Sequence, residues 1–197
     1  MFALEIIDMP NTSVPAEFRQ KLLDCLQGWK SLSPTRESYL NAAGDLMAWR
    51  SDRNHPGLWA LPPLMVTATL DDGWGHGLEV IEKLAEATGV RIHSLGLLRS
   101  PESIVEACQK LNPRFLGLTV LQLDSDDWLS DIVRRIPPST LLVAGGAAFR
   151  YDPDFALRTG TPVVVKNGAA FLQFLLTCDV KVQRPGSSRE SSSSFIP

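Results

Sequence analysis

The stretch LMVTATLDDGWGHGLEVIEKLAEATG, residues 64–89, decides the fold. Its first seven residues are a short apolar run that reads as a strand. Residues 77–88 place apolar side chains at three- and four-residue steps, the pattern of an amphipathic helix. Between them the junction holds three glycines, two carboxylates, a tryptophan and a histidine. A plain strand-to-helix turn needs only one or two flexible residues and an N-cap.

Working outward, the same alternation recurs four times downstream. RIHSLGLL (91–98) precedes PESIVEACQKLN, FLGLTVL (115–121) precedes DSDDWLSDIVRRI, TLLVAGG (140–146) precedes DPDFALRTG, and PVVVKNG (162–168) precedes AAFLQFLLTC. Parallel neighbours require crossover helices, and right-handed crossovers cover both sheet faces. The expected fold is therefore α/β: a flavodoxin-like (Rossmann-like), doubly wound, five-stranded parallel sheet of order 2-1-3-4-5. Upstream, Phe18, Leu22, Leu26 and Trp29 and then Tyr39, Ala43, Leu46 and Met47 predict two helices. The expected organisation is a helical segment and linker over 1–60, the α/β domain over 61–180, and a disordered serine-rich tail over 181–197.

Composition excludes several classes. A formal charge of -3 with scattered Lys and Arg gives no footprint for direct nucleic-acid binding. No apolar run approaches the roughly 20 residues that span a bilayer, and MFALEIIDMPN lacks a basic export signal, so no membrane association and a cytoplasmic location are expected. Cys25, Cys108 and Cys178 are far apart and read as buried apolar residues.

In an open α/β sheet, ligands bind beyond the carboxyl ends of the strands where strand order reverses. Here that edge collects residues 71–77, Thr119, Leu121, Gly145, Gly146 and Gly168. The glycine pair has two readings, room for a ligand or a tight turn. Gly73, Gly75 and Gly77 are spaced GxGxG, not as a dinucleotide fingerprint, and no GK[ST] follows for a P-loop. A phosphorelay receiver would use Asp71, Asp72 and Lys166 but also an aspartate ending the third strand, where Thr119 stands.

The positions match another pattern as a set. Asp72-Gly73-Trp74-Gly75-His76-Gly77 resembles the DxHxxG loop of the cobalamin-binding domain of corrinoid methyl carriers, methionine synthase and B12-dependent mutases. Ser94, Leu95 and Gly96, before the helix opened by Pro101, resemble the family's second segment; Thr119-Val120-Leu121 stands at its SxL position and Gly145-Gly146 at its GG. The resemblance implies a cobalamin or related corrinoid whose nucleotide tail swings away from cobalt into a slot beside the sheet. Thr119 would supply the hydroxyl facing the base, Gly145 and Gly146 would give the tail room, and residues 72–77 would underlie the corrin.

One departure stands out. The family's cobalt-ligating histidine is replaced by Trp74, and indole has a donor N–H but no available lone pair. Three outcomes are open: Trp74 packs beneath the corrin and cobalt has no protein ligand, His76 reaches the metal, or no corrinoid binds. No acid, base or nucleophile is arranged for turnover by the chain alone. The resemblance thus implies a base-off corrinoid carrier for a partner methyltransferase, the alternative being a B12-dependent sensor acting through a regulatory partner. Residues 16–53 would then correspond to a helical module capping the upper face of the corrin.

Overall fold

Five apolar runs become five parallel strands: β1 (Leu64–Thr69), β2 (Arg91–Gly96), β3 (Phe115–Thr119), β4 (Leu141–Gly145) and β5 (Val163–Val164), in the order β2-β1-β3-β4-β5. This is the expected α/β arrangement. The computed structural model describes residues 16–30, 34–71 and 75–178. The serine-rich tail lies outside these residues, as do Asp72, Gly73 and Trp74.

Alternation along the strands sends side chains to two separate cores. Met65, Phe115 and Val143 face one side, which is covered by α3 (His76–Thr88) and α8 (Gly168–Thr177). Val66, Ala68, Leu116, Leu118 and Leu142 face the other, beneath α4 (Pro101–Leu111), α5 (Asp126–Arg135) and α7 (Phe155–Thr159). Phe115 is fully buried, and its truncation to alanine would cost about 3–5 kcal/mol through lost burial and the cavity left behind. The short helix α6 (Ala148–Tyr151) follows β4 directly.

Two further helices form a third layer. α1 (Ala16–Lys30) packs against α8, and α2 (Arg36–Asp52) packs along α3. Phe18, Leu22, Ala43 and Leu46 belong to the same buried cluster as Met65, Leu84 and Phe171, so these helices share their core with the sheet. Thr35 starts α2 with a reciprocal capping box to Ser38, which satisfies amides that the helix leaves unpaired.

The directions of α2 and α3 are set by arginines at both ends. Arg36 pairs with Glu79 near the two N-termini. At the far end, Arg50 donates to the carbonyls of Glu86 at 2.7 Å and Ala87 at 3.3 Å, and to those of His55 at 3.1 Å and Pro56 at 2.6 Å. The last α3 carbonyls lack intrahelical partners, so a cation there satisfies both hydrogen bonds and the helix dipole. α2 therefore runs parallel to α3. Its linker crosses the α3 C-terminus at Gly57 and Gly89, where a Cβ on either residue would overlap the other segment's backbone.

Candidate functional site

The parallel register aligns Thr69 with Thr119 and Thr119 with Gly145, forming one rung at the carboxyl edge of the sheet. Beside this rung the sheet, α3 and α8 enclose a cavity of about 740 Å³. Thr69, Gly117, Thr119, Val143 and Gly145 line it from the sheet, Gly77, Val80 and Ile81 from α3, and Gly168 and Phe171 from α8. Arg36 and Tyr39 of α2, Arg150 of α6 and Lys166 after β5 also line it.

The glycines have different roles. A Cβ at Gly77 would make only an ordinary contact with the Thr119 methyl, at 3.8 Å, so the fold does not itself require glycine there. At Gly146, φ is +122° and a Cβ would overlap the Val120 carbonyl; at Gly145 it would come within 2.7 Å of the Val165 carbonyl oxygen. The backbone itself therefore requires the pair, in addition to any ligand's need for room. At Gly168 a Cβ would come to 3.0 Å from both Leu84 and Tyr39, so this glycine lets α8 approach α2 and α3.

Of the residues singled out from sequence, Gly75, His76, Gly77, Thr119, Leu121, Gly145, Gly146 and Gly168 all line the cavity. His76 is exposed and is the first residue of α3. Ser94 and Gly96 do not line it. They lie on β2, which the strand order places beyond β1 from β3 and hence away from the reversal. Asp72, Gly73 and Trp74 lie outside the described residues.

Sequence reasoning missed Arg36 and Arg150 as lining residues. It also missed the role of Asp71, a buried carboxylate that accepts the Ser125 hydroxyl at 2.6 Å, the Gln122 amide at 3.3 Å and the Leu121 amide. Asp71 thereby joins the segment after β1 to the segment after β3. Its place immediately after a buried strand is the one local signal; its partners are fifty residues away in sequence.

The aromatic residues of the N-terminal helices and linker pack in different places. Trp49 stacks on Phe18 at 5.5 Å between centroids, Trp59 lies 6.3 Å from Phe115, and Trp29 meets Tyr39 edge-on at 4.9 Å. Of these aromatics, Tyr39 is the one that lines the cavity. His93 is exposed on β2. His55 accepts the Gly57 amide through Nδ1 at 3.0 Å and sits beside Phe18 and Trp49. Burial first, then the Arg50 charge, pushes its pKa down. The three cysteines form no disulfide, and burial pushes the Cys108 thiol up to about 11. Among the described residues no group of three or more His, Cys, Asp or Glu side chains is placed to hold a metal, and no helix is long and apolar enough to cross a membrane.

The lining combines an apolar interior, a threonine hydroxyl on the floor and cations around it. That arrangement fits the nucleotide tail of a corrinoid, which joins a flat apolar base through a ribose to an anionic phosphodiester. The protein-family comparison agrees: the B12 binding domain matches residues 64–174. Among solved structures, a cobalamin-binding protein from Desulfitobacterium hafniense DCB-2 superposes with a TM-score of 0.68 at 18% identity, covering 81% of this chain and 78% of that one. The monomethylamine corrinoid protein of Methanosarcina barkeri gives 0.52 at 19% identity, covering 72% and 67%. The methanol:cobalamin methyltransferase complex of the same organism gives 0.51 at 14% identity, covering 84% and 79%. No curated protein sequence matches.

Proposed function

The chain belongs to the B12-binding domain family, and from that premise we propose that it is a corrinoid carrier serving a partner methyltransferase, with its cofactor held base-off. A bound corrinoid supplies a cobalt that can accept and release a methyl group. The observation that carries the reading is the cavity at the strand-order reversal, which Thr119 lines from the sheet and which Gly77, opposite it on α3, leaves without a side chain at that point. Two of the similar structures support the methyl-transfer context, one being a corrinoid protein and the other a methyltransferase complex.

Residues 72–77 underlie the corrin in this reading, and Trp74, having no lone pair, leaves the lower face of cobalt without a protein ligand. Thr119 bonds the base within the slot, and Tyr39 brings the N-terminal helices to its mouth. The domain of residues 61–180 holds the cofactor, and α1 and α2 brace it from the side of α3 and α8. This placement gives the two helices a supporting role beside the slot in place of the expected cap over the upper face.

The test is spectroscopic. After mixing with hydroxocobalamin and desalting, the protein should retain colour with a base-off spectrum that His76→Ala leaves unchanged. Trp74→His should introduce the spectrum of histidine-ligated cobalt. Loss of all colour on desalting would overturn the reading, and a spectrum altered by His76→Ala would assign the ligand to His76.

A further inference from the structure

The ionisable groups of the cavity are one-sided. Arg36, His76, Arg150 and Lys166 line it, and among the described residues no carboxylate does, although the chain as a whole carries a formal charge of -3. Arg36 is already matched to Glu79. Arg150 and Lys166 are both exposed, and neither forms an ion pair among the described residues. Other surface arginines of the same chain do find acids: Arg134 and Arg135 share Asp131, and Arg158 takes Asp152 and Asp126.

The two cations come from independent elements. Arg150 is on α6, in the turn that follows Gly146, and Lys166 is the residue after Val165 at the end of β5. β4 and β5 are paired neighbours in the sheet, so both cations belong to the same side of the opening, across the β1–β3 rung from α3. Neither is needed to hold the fold by any bond seen here. Their shared property is an unneutralised charge beside a mainly apolar chamber, and the chemistry that this selects is a single anionic group on an otherwise uncharged ligand.

Resting on the corrinoid reading above, we infer that Arg150 and Lys166 form the subsite for the phosphodiester of the nucleotide tail, and that they make the site selective for complete corrinoids over corrinoids lacking that tail. The phosphodiester is the anionic group of cobalamin, and it joins the corrin to the base. With the base in the slot above Thr119 and the corrin across the loops, the phosphodiester must pass the mouth. Arg150 offers a planar donor fork and Lys166 a compact charge, a pair suited to one phosphate.

The test separates the tail from the ring. Binding of hydroxocobalamin and of aquahydroxocobinamide, the same corrin without its nucleotide, is measured for the wild-type chain, Arg150→Ala, Lys166→Ala and the double variant, with circular dichroism to confirm folding. Each single change should weaken cobalamin binding about fivefold to tenfold, the size of a partly exposed charge-assisted contact, and leave cobinamide binding unchanged. Lys166→Arg should restore most of the loss. Raising salt should weaken wild-type cobalamin binding more than that of the double variant. Equal losses for both corrinoids, or no loss for either, would overturn the subsite while leaving the carrier reading intact. Failure of the wild-type chain to bind either corrinoid would overturn both.

Discussion

The carboxylate of Asp71 accepts the Ser125 hydroxyl at 2.6 Å, and the same side chain takes the amides of Leu121 and Gln122. One buried group thus fixes the two segments that flank the strand-order reversal. Asp71→Ala leaves all three donors without their acceptor and should destabilise the protein by about 3 kcal/mol. Ser125→Ala should cost about 1.5 kcal/mol, and the double variant should cost less than the sum of the two. Urea denaturation of the four proteins measures this; strict additivity would show that the pair does not act as a unit.

The glycines of the cavity separate by experiment into those that the fold needs and those that the ligand needs. Gly146→Ala, at φ +122° and against the Val120 carbonyl, should lose about 3 kcal/mol of stability. Gly77→Ala should gain roughly 0.5–1 kcal/mol as a helix substitution, yet it should weaken retention of hydroxocobalamin, because its methyl enters the space facing Thr119. A Gly77→Ala protein that retains the corrinoid as well as the wild type would place the tail elsewhere.

His55 makes stability depend on pH in a definite direction. Its folded pKa lies below its ordinary value of 6.5, chiefly because of burial and then because of Arg50. Above pH 6.5 both states are neutral and this term is constant. As pH falls below 6.5 the unfolded chain takes up a proton that the native imidazole refuses, so stability declines until the folded pKa is passed. Thermal melts of His55→Asn should show a smaller decline between about pH 6.5 and 5 than the wild type. An identical slope would remove His55 from the account.

Cys108 should be chemically silent in the folded protein. With its thiol pushed up to about 11 by burial, about a thousandth of it is thiolate at pH 8. Maleimide labelling followed by peptide mapping should find Cys108 modified only after denaturant is added. Rapid native labelling at that residue would mean that α4 opens.

The β–α alternation was legible because each buried strand and each amphipathic helix writes its own period into a few consecutive residues. The cavity floor was legible for the same reason: Thr119 and Gly145 sit at strand ends, where register brings them together. β5 was expected over 162–168 and is two residues long, pairing with β4 at Val143–Val163 and Ala144–Val164. Ser94 and Gly96 carry the family pattern, but on a strand outside the reversal. Arg36 could not be placed from sequence, because its position depends on α2 lying parallel to α3, which Arg50 fixes through four backbone carbonyls. Long-range acceptors of that kind leave no periodic trace.

The unequal fastening of α2 gives the helix a polarity of its own. One end is held by four carbonyls and a glycine crossing, the other by the exposed Thr35–Ser38 capping box and a solvent-facing Arg36–Glu79 pair, and pairs of that kind contribute about 0–1 kcal/mol. Local unfolding begins where the fewest contacts must break. Amide hydrogen exchange should therefore run faster over residues 39–42 than over 46–50, and Glu79→Gln should quicken the first group alone. The helix frays toward the chamber, so the same layer that braces the domain also provides its most readily released margin.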